Sequence, residues 1–293
     1  MTLQQLRYLT AVSDASSFAE AALACGVTQP TLSAMLAKLE RELDAPLLDR
    51  RRKPAVPTAL GREVIARARQ VLAQAAAIPA LVAEARADLT GDVAVGVLPT
   101  VAPYLLPAVL SALTARHPEV RLTIHGLKTA EIAARLTDGR LGLGIVATPH
   151  AALADLHAEP LFEEAFYAYA KTPPAKRYLL PEDIDPEELW VLEEGHCFGD
   201  QVLDLCTLSR GAHALRYASG SIDTLKRLVD ARGGVTVLPE LAVRELSTAE
   251  RAHVRAFVEP APRRTVALAM RRDFVRRRLV KTLAEIAREV AEA

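Results

Sequence analysis

The side chains in this sequence best suited to covalent chemistry are two thiols nine positions apart. They lie in Leu192-Glu193-Glu194-Gly195-His196-Cys197-Phe198-Gly199-Asp200-Gln201-Val202-Leu203-Asp204-Leu205-Cys206. Gly195 breaks a strand-like run, and a short helix is expected just after Cys197. A thiol at a helix N-terminus feels the positive end of the dipole, and a protonated His196 beside it favours the thiolate further. Thiolate is the form that attacks a peroxide, and the resulting sulfenic acid condenses with a second thiol to a disulfide. On one continuous helix the two α-carbons would stand roughly 13 Å apart at 1.5 Å per residue, whereas a disulfide needs less than about 7 Å. A crosslink would have to melt or refold the intervening segment, which is a direct route from oxidation to a change of shape. From these residues alone other readings stay open. A cytosolic cysteine is most often a small buried hydrophobe, as Cys25 is read here, and a thiol peroxidase would also use Cys197 as its nucleophile. His196, Cys197 and Cys206 have no further ligand at finger spacing, so no metal or other cofactor is expected.

A second set of chemistry-bearing residues lies near the N-terminus, in Ala21-Ala22-Leu23-Ala24-Cys25-Gly26-Val27-Thr28-Gln29-Pro30-Thr31-Leu32-Ser33. Glycine suits a tight turn, Thr28 is a good N-cap and Pro30 is tolerated in a first helical turn, so a helix should open with Gln29, Thr31 and Ser33 at its exposed start. A helix-turn-helix lays that start in the DNA major groove, where Gln pairs with adenine and Ser or Thr with base edges or phosphates. An ordinary helical hairpin with a polar cap gives a similar pattern. Overall charge does not choose between them, because 36 Lys/Arg balance 36 Asp/Glu. Its distribution favours DNA: the run Arg50-Arg51-Arg52-Lys53 follows the helical stretch where a hairpin wing would grip phosphates.

The elements that must position these residues can be read from periodicity. At 293 residues the chain exceeds one typical domain. Leu3, Leu6, Leu9 and Val12 begin a helical stripe that Phe18, Ala21, Ala22, Val27, Leu32, Leu36, Leu39, Leu43 and Leu47 continue. From Thr58 to about Leu89 one long helix is expected, with Val64, Ala68, Val71, Ala75, Ile78, Val82, Ala85 and Leu89 in alternating steps of four and three. That 3.5-residue period is a coiled-coil seam and calls for a partner helix, most readily from a second subunit. Pro79 should kink or interrupt it. Beyond Thr90 strands are expected at 93–97, 120–127, 141–147, 161–170, 189–193, 235–239 and 265–270. Helices are expected near 104–115, 129–138, 222–231 and from about Phe274. This βαβ alternation implies a mainly parallel sheet with helices on both faces, in two similar lobes around a cleft. Val93 to Ala115 carries no charge over 23 residues, but Gly96, Pro99, Thr100, Pro103 and Pro107 break it into strand, loop and helix start, so a buried unit is expected rather than a membrane span. The opening MTLQQLRYLT lacks a secretory pattern and only three cysteines occur, so the reducing cytosol is the expected compartment.

The N-terminal unit resembles the LysR-type transcription regulators, through Phe18, Ala21-Ala22, Val27 to Ser33, Leu39-Glu40, Leu47-Leu48-Asp49-Arg50, Thr58 and Gly61. The resemblance implies an α+β multidomain protein with three parts. These are a winged helix-turn-helix over 1–57, a long linker and dimerisation helix over 58–90, and a two-lobed, periplasmic-binding-protein-like α/β effector domain over 91–293. Lobe I would take about 91–160 and 264–293, and lobe II about 161–263. It further implies DNA contact by Gln29, Pro30, Thr31, Ser33 and Lys38, and by Arg51, Arg52 and Lys53, a homodimer or homotetramer on a double-stranded operator, and RNA polymerase as a partner. Within that family the chain resembles the OxyR-type hydrogen peroxide sensors. The residues that carry this are Gly195-His196-Cys197, Asp200-Gln201 and Cys206, with Leu98-Pro99-Thr100-Val101, Pro103-Tyr104-Leu105-Leu106-Pro107 and Pro262-Arg263-Arg264-Thr265. That implies Cys197 as peroxidatic and Cys206 as resolving thiol, with Thr100, Thr129, His196, Asp200 and Arg264, in preference to Arg263, around the peroxide. Gly199 departs from the pattern, since relatives commonly carry a basic residue there, and 207–216 is unlike the usual segment. The alternative expectation is a LysR-type regulator whose cleft binds a small molecule, its cysteines incidental.

Overall fold

The computed structural model describes residues 1–15, 17–52, 55–85, 89–192, 202, 216–217 and 221–293. The chain divides into two units, residues 1–86 with 137–140, and residues 87–136 with 141–293.

In the first unit, α1 (Leu3–Asp14), α2 (Phe18–Ala24) and α3 (Gln29–Glu42) pack around one apolar centre. Most of the stripe expected from spacing is the buried face, with Leu9, Ala21, Leu32, Leu36, Leu39 and Leu47 essentially inaccessible, whereas Leu3 and Leu43, at the helix ends, are exposed. Each helix start is capped by a hydroxyl, Thr2 on the Gln5 amide, Ser17 on Glu20 and Thr28 on Thr31. Between α2 and α3 the chain reverses at Gly26, whose φ of 66° lies in the left-handed region that a side chain disfavours. Strands β1 (Leu48–Asp49) and β2 (Val56–Pro57) then pair antiparallel as a short hairpin.

The helix α4 (Ala59–Ala85) follows. Of the two effects expected of Pro79, a kink or an interruption, the interruption does not occur: the helix runs on past it to Ala85, since losing one amide donor is tolerated where the helix is long enough to hold register on both sides. The expected extent needs correction, because Leu89 is not helical and packs partly buried against the core of the second unit. Ile65 and Ala68 are buried, with Ile65 in the helical core of the first unit, whereas Val71, Ile78 and Val82 are about half or more exposed. Among the described residues no helix is long and apolar enough to cross a membrane.

In the second unit, β3 (Gly91–Val97) is flanked by β4 (Val120–Gly126) and β5 (Leu143–Thr148), both parallel to it. The crossovers run through α5 (Ala102–Arg116) and α6 (Thr129–Thr137). Two long strands then join this lobe to the other. The first half of β6 (His157–Ala170) pairs with β12 (Arg263–Met270), which also pairs with β5. The second half of β6 pairs with β10 (Val235–Pro239) and β11 (Val254–Phe257), and β11 with β7 (Tyr178–Leu179). The sheet is therefore mixed rather than mainly parallel. Parallel pairing holds where helices supply the crossovers, and the pairs made by β6 and β12 are antiparallel. The lobes have separate apolar cores, one including Val97, Leu105, Ile132 and Leu268, the other Phe166, Trp190, Leu225 and Leu238; Tyr104 of α5 packs against both. Short helices α7 (Ile222–Arg232), α8 (Glu240–Arg244) and α9 (Thr248–Arg251) belong to the second lobe, and α10 (Arg277–Glu292) closes the first.

The entry to α4 offers a test of the first unit. Thr58 donates its hydroxyl to the Pro46 carbonyl at 2.9 Å and accepts the Gly61 amide at 2.9 Å. A Cβ on Gly61 would stand 2.0 Å from the Leu47 carbonyl oxygen, a backbone atom with nowhere to retreat. Gly61→Ala should destabilise this unit by about 3 kcal/mol, the upper end of the overpacking range, as measured by urea unfolding followed by circular dichroism. A wild-type midpoint would contradict the close approach.

Candidate functional site

The start of α3 presents Gln29, Pro30 and Thr31 to solvent, and Lys38 is exposed further along the same helix. These side chains are unpacked because the opposite face of α3 carries Leu32, Leu36 and Leu39 inward. Ser33 differs. It is half-buried, and its Oγ accepts a hydrogen bond of 3.2 Å from Arg50, which also pairs with Glu40 at 3.0 Å and sits over the Phe18 ring. Glu40 in turn accepts the amides of Leu47 and Leu48 at 2.8 and 3.1 Å. Arg50 and Glu40 thus tie the hairpin to α3, a structural role that the motif residues carry without announcing it. Arg51 pairs with Asp49 at 3.0 Å and holds that carboxyl below its ordinary range, chiefly through the guanidinium hydrogen bond. Arg52 is exposed, and Lys53 lies outside the described residues.

The second constellation stands at the carboxyl ends of parallel strands, the position where open α/β sheets receive ligands. Val97 of β3 is in register with Gly126 of β4, and Thr100 and Thr129 each follow three residues later. Both are buried. The Thr129 hydroxyl has no hydrogen-bond partner among the described residues, which leaves a donor and an acceptor available to a small polar ligand. Arg264 of β12 donates to the Thr100 hydroxyl at 3.1 Å and to its carbonyl at 3.3 Å. Its Nε donates at 2.7 Å to Glu164, the residue directly opposite on β6. The Arg264 and Glu164 side chains are 0 and 1 % exposed, so this is a fully desolvated ion pair. The second Glu164 oxygen accepts the Leu241 amide of α8 at 3.0 Å. Arg263, by contrast, is half-exposed and pairs with Glu163 at 3.1 Å.

Glu164 was not among the residues singled out from the sequence, although the signal was present. On β6 it falls in phase with Phe166, Ala168 and Ala170, and on β12 Arg264 falls in phase with Val266, Leu268 and Met270, all inward-facing. A charge on the buried phase of a strand requires a buried partner, and each of these supplies the other's.

Cys197, Cys206, His196 and Asp200 lie outside the described residues, so their geometry is not part of this site. The chain is fixed on both sides of them. Before them Trp190 is hydrogen-bonded through its indole to the Gly233 carbonyl at 3.1 Å and through its own carbonyl to the Thr236 hydroxyl at 2.9 Å. Strand β8 (Val191–Leu192) pairs in parallel with β9 (Arg216–Tyr217) beyond them, and Val202 is buried in the second core. The third cysteine, Cys25, is a free, half-buried thiol in the helix-turn-helix.

Residues 3–62 match the bacterial regulatory helix-turn-helix model of the lysR family, and residues 86–292 match the LysR substrate-binding domain. Among curated proteins, a probable hydrogen peroxide-inducible genes activator of Streptomyces viridosporus is 38 % identical over 98 % of this chain and 94 % of its own length. The Escherichia coli K12 DNA-binding transcriptional dual regulator OxyR is 32 % identical over 98 and 95 %. Among solved structures, a full-length OxyR cysteine-to-aspartate variant of Pseudomonas aeruginosa superposes with a TM-score of 0.82 at 35 % identity, over 98 % of this chain and 95 % of that one. A hydrogen peroxide-bound cysteine variant of Corynebacterium glutamicum OxyR gives 0.65 at 27 % identity, over 99 and 92 %.

The buried ion pair makes its own prediction. Arg264→Met leaves Glu164 desolvated without its cation and should cost about 3–5 kcal/mol, whereas the double change Arg264→Met with Glu164→Leu should recover most of that loss. Urea unfolding followed by Trp190 fluorescence measures both. Losses that simply add would contradict the pairing.

Proposed function

The chain belongs to the LysR family of bacterial helix-turn-helix regulators, and we propose that it regulates transcription by sensing hydrogen peroxide through Cys197 and Cys206. The observation that carries this reading is the buried Arg264 guanidinium hydrogen-bonded to Thr100 at the strand ends, in a chain whose two thiols follow a Gly-His-Cys sequence. Thr100, Thr129, His196, Asp200 and Arg264 hold the peroxide in this reading, and hydroxyl and guanidinium donors stabilise the charge that develops on its departing oxygen.

The chemistry proceeds in two steps. The Cys197 thiolate attacks one peroxide oxygen; the S–O bond forms as the O–O bond breaks, and hydroxide leaves with the electron pair and takes up a proton to become water. The Cys206 thiol then loses its proton and attacks the sulfenic sulfur, forming the S–S bond and releasing a second water. No metal or cofactor enters either step. The output is a change of conformation rather than turnover, which separates a regulator from a thiol peroxidase.

At the other end of the function, Gln29, Pro30 and Thr31 read base edges in an operator, and Lys38, Arg51, Arg52 and Lys53 contact phosphates, Arg51 exchanging its Asp49 partner for one. Ser33 contacts DNA from its position on Arg50. Val71, Ile78 and Val82, exposed along α4, suit a seam with a second copy in a homodimer or homotetramer. The assembly acts in the cytoplasm on double-stranded DNA together with RNA polymerase.

Two outcomes test the reading. Gln29→Ala should weaken operator binding by about 1–3 kcal/mol if Gln29 makes a bidentate base contact, with little effect on random DNA of equal length; equal loss on both would assign it to phosphate instead. Cys197→Ser should leave the reduced-state DNA footprint intact and abolish its change on adding peroxide. A footprint that still shifts with peroxide removes Cys197 from the mechanism, and one that shifts only with a metabolite favours a small-molecule effector.

A further inference from the structure

We infer that Glu164 sets which oxidants the site accepts, by cancelling the charge of Arg264 so that uncharged peroxides are favoured over anionic ones. This rests on the proposed peroxide site, and it concerns a residue that none of the motifs singles out.

Arg264 is the cation that faces Thr100, and a guanidinium alone in a desolvated site would be a strong attractor for any small anion. It does not stand alone. Glu164 lies opposite it on β6, its carboxylate 2.7 Å from the guanidinium, with both side chains shut away from water. Solvent does not screen a pair buried this deeply, so the carboxylate removes one unit of positive charge from the site at full strength. The carboxylate is also fixed in place. Its other oxygen accepts the Leu241 amide, so it has no freedom to swing away and expose the cation when a ligand enters.

What remains on the Thr100 side is a set of directed donors without a net charge of their own. The guanidinium N–H groups engage the Thr100 hydroxyl and carbonyl, and the Thr100 and Thr129 hydroxyls both donate and accept. A neutral molecule with two oxygens can satisfy such groups at small desolvation cost. An anion entering the same space gives up its hydration and gains no net countercharge in return. Selectivity of this kind arises as much from what penalises the wrong ligand as from what binds the right one.

The test compares hydrogen peroxide with peroxymonosulfate, an anionic peroxide that transfers the same hydroxyl oxygen to a thiolate. In both reactions the S–O bond forms and the O–O bond breaks; the leaving group is hydroxide in one case and sulfate in the other. The rate of loss of the Cys197 thiol is measured on the full-length reduced protein by alkylation quench and mass spectrometry, each oxidant being normalised to its rate with free cysteine. Glu164→Gln should shift the ratio of the two normalised rates toward peroxymonosulfate by about tenfold, equivalent to about 1.4 kcal/mol. Arg264→Gln should shift it in the opposite direction. The double Glu164→Gln, Arg264→Gln protein, which restores neutrality without either charge, should return to the wild-type ratio even though both rates fall. A merely structural role for Glu164 would lower both rates together and leave the ratio where it was. Because the two single changes carry opposite signs, either one decides the matter if the other does not fold. An unchanged ratio in a folded single variant overturns the inference while leaving peroxide sensing intact. A wild-type Cys197 inert to hydrogen peroxide overturns both.

Discussion

The buried pair between Arg264 and Glu164 is the interaction on which the rest of the second unit turns. Both residues lie on the strands that run from one lobe to the other, and each sits on the phase of its strand that faces inward. Neither charge is tolerable there alone. Joined, they form a hydrogen-bonded chain from the loop after β3, through Thr100, Arg264 and Glu164, to the first turn of α8 at Leu241. The same contacts that make the pair affordable also aim the guanidinium at the strand ends. The structural demand on Arg264 and the ligand-holding role proposed for it are thus compatible with one geometry.

The first unit follows a different logic, in which the surface proposed to meet DNA is what packing leaves over. Leucines at helical spacing commit one face of α3 to the core, and the opposite face is free to carry Gln29, Thr31 and Lys38. The hairpin after it has only two residues in each strand, too few to hold an orientation through their own ladder. Side chains supply what the ladder lacks. Glu40 receives the amides that lead into the hairpin, and Arg50 spans Glu40, Ser33 and Phe18.

Much of this was legible in the sequence because it depends on local periodicity. The alternating strands of the second unit, the capped start at Thr28 and the turn at Gly26 all write themselves into neighbouring residues. The family was legible from motifs, and the expectation placed on Thr100 and Arg264 came with it. What was not legible depends on residues far apart in the chain. The mixed sheet arises because β12 returns from the end of the chain to lie between β5 and β6, and no local pattern announces that. Glu164 and Arg264 are a hundred residues apart; each could be suspected from its inward phase, but their union required the register of two strands. The interruption expected at Pro79 fails for the reverse reason, since the local rule yields to a helix that continues on both sides. The arrangement around Cys197 and Cys206 lies outside the described residues, so the expectation placed on them rests on sequence and family.

The central claim is that Cys197 and Cys206 are a peroxide-driven pair, and peptide mass spectrometry of the reduced protein after brief, near-stoichiometric hydrogen peroxide tests it most directly. The account predicts a Cys197–Cys206 crosslink, with Cys25 still alkylatable as a free thiol. Both thiols remaining reduced would contradict it and turn attention to a small-molecule ligand at the same strand ends.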